Sequence, residues 1–168
     1  MILLSAEATA QPDYADVPFR QLDPINKTPI TATVEPGNAG SGRIDNMLMH
    51  ALSLIGVKYR SGGNRLEQGF DCSGFVRHVF AEALSVELPR SSIEMSRLGN
   101  PVENNQLLPG DLLFYNTLKR RFSHVGIYLG EGRFVHAPSP GKNVEIVDMS
   151  DAYWKKRFDG ARRLVDPD

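Results

Sequence analysis

The hydrophobic period of this chain changes once, at Pro109-Gly110, and that change sharply limits the folds open to it. Upstream, apolar residues recur at three- and four-residue spacing: Ile44, Met47, Leu48, Ala51, Leu52 and Ile55, then Phe75, Val76, Val79, Phe80, Ala83 and Leu84. Stripes of this kind predict two amphipathic helices. The first runs over about 44–55, with Ser41 as its cap and Gly56 as its stop; the second starts at Asp71-Cys72-Ser73 and runs to about Leu84. Pro89 forces a break, and Ser91 or Ser92 caps a short helix to about Leu98. Downstream the pattern alternates. It predicts strands over 111–115, 124–130, 133–137 and 144–147, a helical turn over 151–157 and a last strand over 160–165. Helices followed by an antiparallel meander imply an α+β fold, with the helices packed on one face of the sheet.

The first 40 residues obey neither period. They hold Pro12, Pro18, Pro24, Pro29 and Pro36, five of the 11 prolines, and read as an extended arm or linker ahead of one domain over 41–168. The opening Met1-Ile2-Leu3-Leu4-Ser5-Ala6 is apolar, but too short and without leading basic residues to make a complete secretory signal. No cysteine near the terminus offers a lipid anchor. No stretch approaches the roughly 18 apolar residues of a membrane span. With 19 basic against 20 acidic residues, bulk attraction to nucleic acid is not expected. The single cysteine excludes an internal disulfide framework, a CxxC redox pair and a multi-cysteine zinc site. No metal or cofactor is expected.

That cysteine is the informative residue. Cys72 stands at the first turn of a predicted helix, where unpaired amides favour thiolate over thiol, and Ser73 and Gly74 keep the approach open. The alternative is a small buried hydrophobe, the usual fate of a free cysteine. A nucleophilic thiolate needs a base, and the base needs an orienting group. Of the four histidines, His50 and His78 fall off the helical stripes and read as solvated. His124 and His136 flank one hairpin. In 124–129 the odd residues Val125, Ile127 and Leu129 belong to the core, which leaves His124 on the other face with Gly126. A three-residue loop of Gly130, Glu131 and Gly132 pairs Leu129 with Arg133 and Gly126 with His136, placing both rings on one face at diagonal positions. A two-residue loop pairs Ile127 with His136 and separates them.

Six segments then occur in an order that resembles the NlpC family (NlpC/p-sixty) of bacterial cell-wall cysteine peptidases. They are Tyr59-Arg60-Ser61-Gly62-Gly63, Phe70-Asp71-Cys72-Ser73-Gly74-Phe75-Val76, Leu88-Pro89-Arg90-Ser91-Ser92, Pro109-Gly110-Asp111-Leu112-Leu113-Phe114, His124-Val125-Gly126-Ile127-Tyr128 and Phe134-Val135-His136-Ala137. The resemblance covers about residues 44–164. It implies a papain-like α+β fold with Cys72 as nucleophile, His124 as base and His136 as the third polar residue. It also implies Tyr59 as an oxyanion-binding hydroxyl, and Asp71 and Ser73 at the substrate cleft. Met95 departs from the pattern, standing where the family often has glutamine. The implied activity is peptidoglycan hydrolysis, as a thiol endopeptidase cutting stem peptides between D-glutamate and the diamino acid. An amidase or acyl transferase with the same triad, or a silent wall-binding protein, are the alternatives. The implied partner is the stem peptide, and the implied setting is the periplasm or the extracellular space, with the protein a monomer.

Three further features have plainer readings. Lys119-Arg120-Arg121 could form a carboxylate-binding patch beside the site, but reads first as a solvated loop. Asp111 reads as a turn residue, and Tyr153 and Trp154 as core packing rather than a sugar platform.

Overall fold

The computed structural model describes residues 39–166. Two helices open the described chain, α1 (Ala39–Ser53) and α2 (Cys72–Leu84), separated by a loop that folds back as a small antiparallel hairpin of β1 (Asn64–Arg65) and β2 (Gly69–Phe70). A short α3 (Ser92–Met95) follows. The sheet is built from β3 (Asn100–Val102), β4 (Leu112–Tyr115), β5 (His124–Gly130), β6 (Arg133–His136), β7 (Glu145–Asp148) and β8 (Phe158–Arg163), with α4 (Ala152–Arg157) between the last two. Its order is β3-β8-β4-β5-β6-β7, antiparallel throughout. The expected α+β architecture is present. The β1–β2 hairpin and β3 had no period to announce them, being two and three residues long.

The expected arm lies outside the described residues except for Ala39 and Gly40, which already belong to α1. Ser41 therefore stands inside the helix rather than capping it. The buried stripe of α1 is Ile44, Met47, Ala51 and, just past its end, Leu54; Ile55 is exposed, because the chain turns out of the helical register after Ser53. In α2 the expected stripe is buried at Phe75, Val76, Val79, Phe80 and Leu84. These side chains pack with Leu112, Phe114, Val125, Ile127 and Val135 of the sheet into the main core. His50 and His78 are half-buried rather than solvated. Their rings lie 5.5 Å apart, and His78 packs on Phe70 at 4.9 Å.

The other face of the sheet is covered too. Leu113, Tyr115, Tyr128, Phe134 and Ala161 form a second cluster, against which Trp154 of α4 and Phe158 pack. Aromatic edges and faces hold it together, with Tyr115 stacked on Phe134 at 4.9 Å and Trp154 edge-on to both. Tyr153 is not core: it is 45% exposed, with the Arg157 guanidinium over its ring. Asp111 is a turn residue and more. Its carboxylate accepts the Leu108 N–H and is gripped at both oxygens by Arg163 across the sheet.

Candidate active site

The start of α2 is fixed by its own sequence. Asp71 is the N-cap, and its carboxylate accepts the Gly74 N–H at 2.7 Å and the Gly62 N–H at 3.0 Å, while its own N–H donates to the Gly63 carbonyl. The glycine-rich loop thus lies flush on the first turn of the helix. A Cβ at Gly74 would stand 2.0 Å from the Gly63 carbonyl oxygen, so no larger residue permits this approach. Arg90 closes the arrangement, donating to both carboxylate oxygens of Asp71 and to the Ser73 hydroxyl. The result is a rigid mount for the next residue, Cys72.

Cys72 is half-buried, with its sulfur against the backbone of Val125. Burial pushes the thiol up to about 11, and the Asp71 charge adds to this; hydrogen bonding from the Val125 and Ser73 backbone pulls the other way without prevailing. The helix start therefore does not yield a resting thiolate, contrary to the sequence expectation. The depth of burial is not legible in the sequence, and the adjacent Asp71 carboxylate, which is, opposes the helix N-terminus.

The two histidines do share a face, by a route the sequence did not show. The β5–β6 turn has only Glu131 and Gly132 between the paired residues Gly130 and Arg133, both in the left-handed region. A bulge at Leu129 then shifts the register, so that Tyr128 pairs with Phe134 and Ile127 with Val135. The extra residue in the bulge compensates for the shorter turn, and His136 comes opposite Gly126 after all. His124 Nε2 and His136 Nδ1 lie 2.8 Å apart, with the rings nearly perpendicular. Both rings are buried, and Trp154 covers both at 5.6 and 4.8 Å. Burial lowers His124 to about 4 and lowers His136 further, with the neighbouring His124 adding to the effect on His136. Both are neutral imidazoles at neutral pH.

A cavity of about 630 Å³ opens beside these groups, and Tyr59, Cys72 and His124 all line it. Thr117, Leu118, Ser123, Pro138 to Pro140, Glu145, Tyr153 and Trp154 are among the other lining residues. No hydrogen bond joins Cys72 to the His124 ring among the described residues. The Tyr59 hydroxyl is held protonated, its pKa raised by burial first and further by the Asp71 charge. His136 stands behind His124, out of the cavity lining. Asp71 and Ser73 are not among the lining side chains either; their polar atoms are turned toward Arg90 and the loop. Met95 is wholly buried in the core. The run Lys119-Arg120-Arg121 is exposed and does not line the cavity; Arg121 lies 3.7 Å from Asp159. Sequence reasoning assigned no site role to Trp154, whose contact with the imidazole pair depends on how α4 folds over the sheet, or to Glu145.

The arrangement defines a class: a papain-like α+β domain with a thiol at a helix start and a histidine on the neighbouring strand. The NlpC/P60 family model matches residues 56–163, and the chain belongs to that family. It is 39% identical over 119 residues to the murein DD-endopeptidase MepH of Escherichia coli, covering 69% of this chain and 44% of that protein. It is 42% identical over 119 residues to the gamma-DL-glutamyl hydrolase of Bacillus subtilis, covering 70% and 29%. Among solved structures, an NlpC/P60 family protein from Bacillus cereus superposes with a TM-score of 0.69 at 30% identity, over 73% of this chain and 40% of that one. This chain spans less than half the length of these two curated relatives.

Proposed function

We propose that this protein is a peptidoglycan hydrolase, a cysteine endopeptidase that cleaves stem-peptide bonds of the cell wall between D-glutamate and the diamino acid, and so works in the periplasm or outside the cell. The observation that carries the reading is that Cys72 and His124 line one cavity, with the far nitrogen of His124 held by His136 at 2.8 Å. Relatives named as a murein endopeptidase and a glutamyl hydrolase support the substrate class.

In this reading the resting site is neutral. With His124 Nε2 engaged by His136, Nδ1 is the nitrogen left to act on the thiol. It takes the Cys72 proton as sulfur attacks the stem-peptide carbonyl, which is general-base catalysis by a group unprotonated at neutral pH. The developing oxyanion meets the unpaired Cys72 N–H at the helix start and the protonated Tyr59 hydroxyl. His124 then protonates the leaving amine, and water releases the acyl-enzyme. Asp71, Ser73 and Arg90 hold the nucleophile's helix in place. The test is digestion of purified peptidoglycan by wild type and by Cys72→Ala, with fragment masses recorded. Cleavage at the D-glutamyl bond, lost in a folded Cys72→Ala protein, is expected; retained cleavage refutes the assignment.

A further inference from the structure

His136 is completely buried, and only one of its ring nitrogens is satisfied. Nδ1 faces His124, while Nε2 has no hydrogen-bond partner among the described residues. A buried N–H left unpaired is costly, so such an orphan calls for an acceptor. The ring is walled by Phe134 and Trp154, which offer none. The carboxylate that does face it is Glu145, whose Oε1 lies 3.9 Å from Nε2. The sheet register explains the meeting: His136 on β6 and Glu145 on β7 are direct cross-strand partners, so their side chains leave the same face. Glu145 is half-exposed and lines the cavity, so its side chain has room to close the remaining distance. The other charged groups around the imidazole pair are Lys142, 3.7 Å from Glu145 Oε1, and Asp71, whose charge acts on His124. Asp151, also at the cavity, is held as the N-cap of α4.

We propose that Glu145 is a positioning residue of this site, accepting the His136 Nε2–H and thereby setting the tautomers of both imidazoles. With its proton on Nε2, His136 presents the Nδ1 lone pair to His124 Nε2–H. That in turn leaves the lone pair of His124 on Nδ1, the nitrogen the thiol proton must reach. Proton transfer from Cys72 to His124 creates an imidazolium, and Glu145 supplies, through His136, the negative charge that a histidine in the third position lacks. Lys142 opposes this by sharing the same carboxylate oxygen. The inference rests on the peptidase reading for its kinetic consequence, though not for its tautomer consequence.

The experiment compares wild type with Glu145→Ala, Glu145→Gln and Glu145→Asp by two readouts. Long-range ¹H–¹⁵N correlation of the histidine rings near pH 7 reports tautomers whether or not the protein cleaves anything. Wild type is expected to show His136 and His124 both protonated on Nε2, with mixed tautomers in Glu145→Ala. In peptidoglycan digestion, Glu145→Ala is expected to lower kcat roughly 10-fold with little change in KM, in line with loss of a carboxylate behind a working histidine. It should also move the acid limb of the pH–rate profile downward, since removing a nearby negative charge makes the imidazolium easier to deprotonate. Glu145→Asp should restore part of the rate; Glu145→Gln, still an acceptor but uncharged, should keep the tautomers while shifting the acid limb. Unchanged tautomers in Glu145→Ala, or an unchanged kcat and acid limb, overturn the proposal. A wild type with the expected tautomers that leaves the wall intact overturns the peptidase reading instead.

Discussion

The imidazole pair depends on Gly126, and a single methyl placed there tests the geometry. Gly126 on β5 lies against His136 and Phe134 of β6. A Cβ at this position would lie 2.7 Å from Phe134 Cδ2, 2.9 Å from the Val135 carbonyl oxygen and 3.2 Å from His136 Cβ. Ordinary contact needs about 3.4 Å or more, so something must move by roughly half an ångström or more. None of the three yields cheaply. Val135 O is backbone of a paired strand, and Phe134 is fully buried between Tyr115 and Trp154. His136 Cβ carries the ring that holds His124. Overpacking of this kind costs about 1–3 kcal/mol. For a domain of this size that lowers the melting temperature by roughly 3–15 °C. Displacing the ring by part of an ångström should also cut wall cleavage by about 10-fold or more, since small misplacements are amplified in the rate. Gly42→Ala is the control: it lies in α1 with nothing among the described residues within 4 Å, and should be neutral or stabilising by up to about 1 kcal/mol. Thermal unfolding followed by circular dichroism reads both. A Gly126→Ala protein that melts with wild type and cleaves at its rate would refute the packing argument.

Three other outcomes are expected. With the Cys72 thiol pushed up to about 11, alkylation by iodoacetamide in the absence of substrate should accelerate about tenfold per pH unit between pH 7 and 9; a rate flat from pH 6 to 8 would mean a preformed thiolate–imidazolium pair. The folded state holds His124 at about 4, below the roughly 6.5 of an unfolded histidine. The unfolded chain therefore binds the extra proton between those values, so stability should be full above about pH 6.5 and fall as pH drops toward 4, with buried His136 acting in the same direction; an unchanged melting temperature between pH 7 and 4.5 would contradict this. Arg163→Met leaves the Asp111 carboxylate, 2% exposed, without its bidentate partner, and should cost about 3–5 kcal/mol in urea unfolding. Replacing Asp111 by Asn in the same chain should recover part of that loss.

Much of this molecule is local enough to be written in the order of its residues. The stripe of α2, its start at Asp71 and the extent of β5 follow from periodicity and from one capping side chain, because these depend on neighbours within a turn or a strand. Cys72 at the head of that helix belongs to the same category, whereas for His124 and His136 the residue order left two parities open. The tertiary structure decided what depends on distant parts of the chain. The shorter β-turn and its compensating bulge at Leu129 arise from sheet pairing. The raised thiol and lowered imidazoles arise from burial under β5 and α4, which no local pattern encodes. The Asp71–Arg90 brace spans 19 residues, and the meeting of His136 with Glu145 needs the register of β6 on β7. Residue identity along the chain named the candidate groups; desolvation and strand register, which exist only once the chain has closed on itself, determined their surroundings and their partners.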